Sequence, residues 1–550
     1  MKKFVKIFAA SLALGQALAK TPTEVLYEVE GLIVQEGGRK KPFVTFAQEE
    51  LTLLHGKASW KDPQTQEYWS AVHLFLDIWV SPDRWVDRPL VLLEYEQLKA
   101  ECGLDLRKRY FSYNELIAAQ RLWQIVEESN RLRKRDQNAK ITALQQKALE
   151  TAKKIEVLNG LLSGDAYRVV PHPEGASLTW GTLEQLPVWY GSKGSEVLAK
   201  AKKFLSAVQQ GNPTAEQVVA LKEELKRLRP EFFPSEIVVQ CELAYVRWHP
   251  FRLAWICLGI GFATMVLCRL LQPPWVHRIG LLVCILAFTL LVWGVLSRII
   301  IAGRAPVTNM YETVVWLALG VVVFALAFAL RHQSGVHFWV SFPVAMVALL
   351  LADTFPIVLN PSIEPLVAVL RSNFWLTVHV MTIVTSYSAF AVSMALAHVL
   401  LWKLALSSDR GGTKSLTKYV VESMQLGVWL LGTGIVLGGV WANYSWGRFW
   451  DWDPKETFSL VALLGYLVTL HGRRFGFWKD VGVATGSILS FQLVLFAWYG
   501  VNFILASGLH SYGFGSGNDV WFYVFVAAEL TYVTVTAILA RFRAHQPKMS

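Results

Sequence analysis

The chain has 550 residues, 53% of them hydrophobic and 17% charged, with a formal net charge of +11. A soluble globular domain carries about 25% charged residues, so this composition points to a membrane protein and excludes a disordered chain, a collagen-like repeat and a disulfide-stapled mini-domain. The basic excess would suggest nucleic acid in a soluble protein, but here Lys and Arg gather in loops between apolar runs, which makes membrane lipid the expected partner and not nucleic acid.

In chain order, residues 1–19 come first. Lys2, Lys3 and Lys6 precede an apolar stretch of about ten residues and the small-x-small sequence Ala17-Leu18-Ala19. This reads as a signal peptide cleaved after Ala19, with an uncleaved anchor as the alternative; either exports the segment beyond it. Residues 20–248 read as a soluble, mostly helical exported (periplasmic) domain. Helical spacing with heavy charge runs through 115–160 and 195–228, and the Pro- and aromatic-rich pieces 171–190 and 230–234 read as loops.

From Leu253 the character changes. There are nine candidate spans: 253–271, 279–301, 312–330, 336–352, 374–403, 425–443, 457–471, 480–501 and 519–540. Each holds roughly enough apolar residues to cross a core about 30 Å thick, with 336–352 and 457–471 short. The expected fold is therefore mainly α: a polytopic helical membrane domain over 250–550, preceded by a signal peptide and a soluble domain. If residue 250 is exported, alternate loops carry thirteen Lys and Arg on the inner side, against Arg304, Arg371, Arg448 and Lys455 on the outer side. The positive-inside rule then agrees with the signal peptide and places the carboxyl terminus in the cytoplasm of a bacterial inner membrane protein. None of the five cysteines forms a C-x-x-C, which argues against a thiol oxidoreductase or a zinc protein. Carboxylates are expected only at span ends, and no repeat symmetry is visible, which disfavours a transporter of some other solute.

The chemistry falls on the exported side. Between two spans, the loop 441–457 holds Trp441, Trp446, Trp450 and Trp452, and then Asp453-Pro454-Lys455-Glu456. Tryptophans at a membrane edge form aromatic belts, but a dense indole platform with a fixed turn also suits a flat, conjugated, apolar ligand. His379 and His510 lie on the same face, before and after this loop, and two neutral imidazoles can supply both axial ligands of a haem iron. His471 ends the 457–471 span, about 21 Å of helix from Thr457, so it cannot share a metal atom with that pair. It is either an interfacial histidine beside Arg473 and Arg474 or a deeper ligand. In Gly303–Glu312, Thr308, Asn309 and Glu312 can cap the next helix, and Arg304 can meet an anionic group such as a haem propionate.

The segment Trp446–Thr457 resembles the tryptophan-rich WWD signature of haem-handling membrane proteins, with Phe458 where the family often has Trp and Asp451 where a small residue is common. The surrounding pattern over about 250–540 resembles the CcsA (ResC) family of the System II cytochrome c assembly pathway. The Gly303–Glu312 segment, His379, Leu470–Arg473 and Gly500–Gly513 fit that family's pattern in order. The resemblance implies that haem b is taken from the cytoplasmic side and held externally with His379 and His510 as axial ligands. Trp441, Trp446, Trp450, Trp452, Asp453 and Arg304 would hold the ring, and His471 would mark an earlier haem position. It implies thioether attachment to a reduced C-x-x-C-H apocytochrome c, kept reduced by thiol-reducing proteins. The chain would be a cytochrome c synthase subunit acting with a CcsB (ResB)-type membrane partner. Residues before 250 contain no spans like that partner, so a separate chain is expected. A haem exporter or chaperone without attachment activity is the alternative.

Overall fold

The computed structural model describes residues 21–135, 141–271, 274–356, 358–365, 373–407, 411–505 and 520–545. The signal-peptide segment and His510 lie outside the described residues. The chain divides into two compact units, Met1–Arg247 and Trp248–Ser550.

Unit 1 is mainly helical. Its helices are α1 (Thr23–Glu30), α2 (Phe43–His55), α3 (Ala71–Val80), α4 (Glu96–Glu101), α5 (Tyr113–Ala118), α6 (Gln120–Arg135), α7 (Ala143–Ser163), α8 (Leu186–Gln210), α9 (Ala215–Leu228) and α10 (Glu236–Trp248). Among the described residues, three two-stranded antiparallel pairs accompany them: β1 (Ile33–Glu36) with β2 (Arg39–Pro42), β3 (Ser59–Lys61) with β4 (Tyr68–Ser70), and β5 (Val91–Leu92) with β6 (Tyr110–Phe111). Helix starts are written in the sequence. Ser112 with Glu115, Thr142 with Gln145 and Thr214 with Gln217 form capping boxes that satisfy the first backbone N–H groups. The expected loop 171–190 ends early, because α8 starts at Leu186 and breaks at Gly191, whose φ of 58° and ψ of −133° are not helical. The core stacks Trp79 on Tyr167 at 4.4 Å and sets Trp60, Trp69 and Trp85 edge to face. Beside it, Arg39 forks onto Glu242 through two 2.8 Å hydrogen bonds, and buried Lys41 bonds Glu36 and Glu49.

Unit 2 holds, among the described residues, nine α-helices: α11 (Pro250–Leu271), α12 (Pro274–Ala302), α13 (Met310–His332), α14 (Val336–Thr354), α15 (Asn373–Ala405), α16 (Thr413–Trp446), α17 (Pro454–Arg474), α18 (Asp480–Leu495) and α19 (Val520–His545). From Phe496 to Leu505, α18 continues as a π-helix. Among the described residues, eight spans are long and apolar enough to cross a membrane; α17 is the exception, because Lys455 and Glu456 at its start and His471, Arg473 and Arg474 at its end shorten its apolar stretch. The molecule is therefore a multi-pass membrane protein.

Helix α15 is central, packing on α13, α14, α16, α18 and α19. Its apolar stretch is 61% buried, against 11% for α19. Small residues allow this. Ser388 donates to the carbonyl of Leu317 at 3.1 Å and Ser393 to that of Val420 at 3.1 Å, joining neighbouring helices. The α15–α16 contact is an antiparallel ladder. A Cβ at Gly427, Gly434 or Gly438 of α16 would lie 2.3, 2.6 or 2.5 Å from Phe390, Ile383 or His379 of α15 respectively. Steps of seven and four residues up one helix match seven and four down the other, so three glycines form the holes for three large side chains. One expectation is overturned: Glu529 lies within α19, away from its ends, where it bonds His398 at 3.1 Å. An imidazole partner makes this carboxylate tolerable in an apolar span.

Candidate functional site

His379 occupies the last hole of the glycine ladder. Its Nδ1–H donates to the carbonyl of Gly434 at 2.8 Å. That bond fixes the tautomer with the lone pair on Nε2, the arrangement of a metal-ligating histidine. Trp441, 1% exposed, lies nearly parallel to the imidazole with centroids 6.0 Å apart, and Trp446 meets Trp441 edge to face at 4.6 Å. Gly439 opens a further space, since a Cβ there would lie 2.5 Å from the Phe449 ring.

The expected loop 441–457 is corrected by this structure. Trp441 and Trp446 belong to α16, which ends only at Gly447, a cap with φ of 74° that returns its N–H to the Asn443 carbonyl. A glycine is suited to that left-handed position because it has no Cβ to clash. The irregular turn spans 448–453, and it is braced from inside. Glu456 accepts Arg448 Nη1 at 3.0 Å and the backbone N–H groups of Asp451 and Asp453 at 2.9 and 3.3 Å. Asp453 caps α17, accepting the Lys455 N–H at 2.9 Å, with Pro454 in the first turn. Arg448 also lies over the Trp446 ring at 5.3 Å. Trp450 and Trp452 meet at right angles with centroids 5.7 Å apart. Trp452 takes a φ of 56° and remains 68% exposed, so the turn presents an indole outward instead of packing it away. That unusual φ in a bulky residue is the kind of local strain found at ligand sites.

A polar chain ties this turn to the other helices. Lys455 Nζ donates to Asn502 Oδ1 at 3.0 Å, and Asn502 Nδ2 donates to the Trp498 carbonyl at 2.8 Å. Trp498 Nε1 donates to Thr313 Oγ1 on α13 at 2.9 Å. Asn502 and Trp498 both lie in the π-helix, a geometry frequent at functional sites. At the start of α13, Asn309 accepts the Glu312 N–H at 2.8 Å, as a cap should. Glu312 does more: it pairs at 2.8 Å with Arg298 of α12, which is wholly buried, and accepts both the backbone N–H and the hydroxyl of Thr308. Arg304 donates to Thr308 Oγ1 at 2.9 Å and to the Glu364 carbonyl at 2.7 Å.

The structure thus joins Trp441 and Trp446 to His379, and Asp453 to the turn holding Trp450 and Trp452. His510 falls outside the described residues. His471 is exposed near the far end of α17, donating Nδ1–H to the Leu467 carbonyl at 2.7 Å. Eighteen residues of α17 separate it from Asp453, about 27 Å of helix. Gly434, Gly438, Asn502 and Arg298 escape a reading of the sequence alone. The Gly434–Gly438 spacing of four was the available signal, since small residues one turn apart mark close helix approach in membranes.

Similarity to known proteins extends over both units. A family model described as "Cytochrome C assembly protein" matches residues 307–510. Protein NrfI of Wolinella succinogenes is 30% identical over 505 residues, covering 88% of this chain and 54% of its own length. That match is longer than unit 2, so it reaches into residues 1–247. The chain spans about half the length of this relative. Cytochrome c biogenesis protein CcsA of Thermosynechococcus vestitus is 33% identical over 310 residues, 46% of this chain and 94% of the relative. CcsA of Prochlorococcus marinus is 32% identical over 261 residues, 42% of this chain and 84% of the relative. With the helical membrane unit, the tryptophan turn and these near-complete matches together, the chain belongs to the CcsA family of cytochrome c biogenesis proteins.

Proposed function

We propose that this chain binds haem b (iron protoporphyrin IX) beside the 448–453 turn, with His379 and His510 as axial ligands, and promotes its attachment to apocytochrome c. The observation that carries this reading is the fixed tautomer of His379, oriented by the Gly434 carbonyl within a glycine-lined slot and stacked on Trp441. The donor set fits as well. A haem iron needs only one or two protein ligands, and His379 presents one imidazole with its other nitrogen already engaged. The exposed indole of Trp452 and its neighbour Trp450 supply stacking area for a flat macrocycle.

The macrocycle supplies two vinyl groups. Each thiol of a reduced C-x-x-C-H segment adds across one of them: the S–H bond breaks, an S–C bond forms and the hydrogen passes to the other vinyl carbon. The chain's contribution is position. With the ring bound, His379 would hold its iron, the indoles of the braced turn would offer it stacking area, and Arg304 near the start of α13 would be a cation for a carboxylate. Holding the reactants together makes a bimolecular addition effectively unimolecular. His471 marks an earlier haem position toward the opposite end of α17.

In this reading a CcsB-type membrane chain completes the site, and thiol-reducing proteins keep the apocytochrome cysteines reduced. The tryptophan turn faces the exported side of a bacterial inner membrane and the carboxyl terminus faces the cytoplasm. The crowding of Arg331, Lys403, Lys414 and Lys418 at the opposite loops supports that orientation.

An absorption spectrum of the purified full chain tests the reading. Protein from haem-replete cells is expected to be red with a low-spin haem spectrum. His379→Ala loses it, and added imidazole restores part of it. A colourless wild type sinks the proposal. Reconstitution with a CcsB-type chain and an apocytochrome peptide separates attachment from a haem exporter or chaperone, which would bind haem and form no thioether.

A further inference from the structure

A second polar cluster lies toward the other end of α16. Its carboxylate, Glu422, is nineteen residues before Trp441 on the same helix, about 29 Å along the axis. Three helices meet there. His332, in the last turn of α13, is engaged through both ring nitrogens: Nδ1 lies 2.9 Å from Nε2 of His337, and Nε2 lies 2.6 Å from Oε2 of Glu422. His337, in the first turn of α14, is fully buried, and its Nδ1 has no hydrogen-bond partner. Tyr419 stacks on His332 at 4.2 Å, and Phe328 lies parallel to it at 5.8 Å. The other charged groups placed against the cluster, among the described residues, are Arg331, 3.6 Å from Glu422 Oε2, and Lys418, 3.8 Å from Oε1.

Proton counting constrains what this chain of groups can do. Glu422 Oε2 lies 2.6 Å from His332 Nε2 and a carboxylate oxygen accepts, so His332 donates its Nε2–H. In a neutral pair, Nδ1 of His332 must then accept from the Nε2–H of His337, which leaves the lone pair of the pair on buried His337 Nδ1. If a proton arrives there, the Nε2–H of His337 can pass to His332 Nδ1. The positive charge is then shared over two rings and held against the carboxylate. One proton is gained, no hydrogen bond is lost, and the acid–base logic is that of a carboxylate orienting an imidazole and stabilising its cation.

We propose that His337, His332 and Glu422 form a proton-binding relay, which takes up one proton at His337 Nδ1 and holds it on the imidazole pair against Glu422. The competing account is a structural staple that pins the α13–α14 turn to α16. The relay goes beyond the haem reading and does not depend on it: a chain that never binds haem would still titrate here.

The test uses the full chain in lipid bilayers with ring-15N histidine, monitored by magnetic resonance between about pH 4 and pH 9. His332→Gln and His337→Gln assign the signals. In the wild type the two rings are expected to titrate together as a coupled pair that gains one proton. Glu422→Gln keeps an oxygen that accepts from His332 Nε2–H, so a staple survives it, but it removes the stabilising anion, and the uptake is expected to be lost. A melting profile of that variant checks that it folds. A wild-type pair that keeps two ring protons throughout the range overturns the relay without need of any variant. Uptake in Glu422→Gln equal to the wild type overturns it too.

Discussion

At the scale of single residues, the glycines of α16 decide where His379 can stand. Gly438→Ala places a Cβ 2.5 Å from the imidazole Cε1, and neither helix backbone yields easily. A loss of roughly 1–3 kcal/mol is expected, as for other overpacked contacts. Gly432→Ala, six residues earlier, meets nothing within 4 Å and should stabilise α16 by up to about 1 kcal/mol. Thermal melts of the two variants in detergent check the contrast, and equal effects would refute the slot. Glu312→Gln removes the carboxylate paired with buried Arg298, so a loss of about 3–5 kcal/mol is expected, recovered only in part when Arg298→Met and Glu312→Leu are combined, because Thr308 then loses its acceptor. His379 was legible as a candidate because a histidine near a tryptophan-rich turn is chemically conspicuous. Its support was not, because Gly434 and Gly438 acquire meaning only when α15 lies against them.

At the scale of elements, eight of the nine expected spans were readable from hydropathy, with the short 457–471 stretch the one that fails, and the turn was readable from its Asp-Pro-Lys-Glu. Helix limits were less so. Trp441–Trp446 continues α16 because nothing before Gly447 stops it, although Asn443, Tyr444 and Ser445 look loop-like in isolation. The π-helix left no trace in periodicity at all. Asp453→Ala removes the α17 cap and should cost about 1 kcal/mol, accompanied by greater hydrogen exchange of residues 448–456. If exchange there is unchanged, the cap does not organise the turn.

At the scale of the whole molecule, polar pairings far apart in sequence were invisible beforehand. His332 and Glu422 are 90 residues apart and His398 and Glu529 131; each residue alone reads as a boundary group or a stray charge. Unit 1 adds a pH dependence. Burial, with the charge of Glu36 adding to it, raises the Glu50 carboxyl from 4.5 to about 7. The folded unit therefore binds that proton more tightly than the unfolded chain does. Its stabilising contribution is complete below about pH 4.5 and is lost as pH rises through about 7. Exchange protection of α2, corrected for intrinsic rate, should fall over that window in the wild type and stay level in Glu50→Gln; parallel profiles would contradict the assignment. The wide turn at Phe496–Leu505 has a different consequence. A π-helix bonds each residue one position farther along than an α-helix does, so it works as a one-residue gear shift. Removing a single residue within it should rewind the segment as α-helix and swing the Asn502 carboxamide off Lys455, so the one residue that the wide turn stores is what carries the polar chain from the tryptophan turn across to α13.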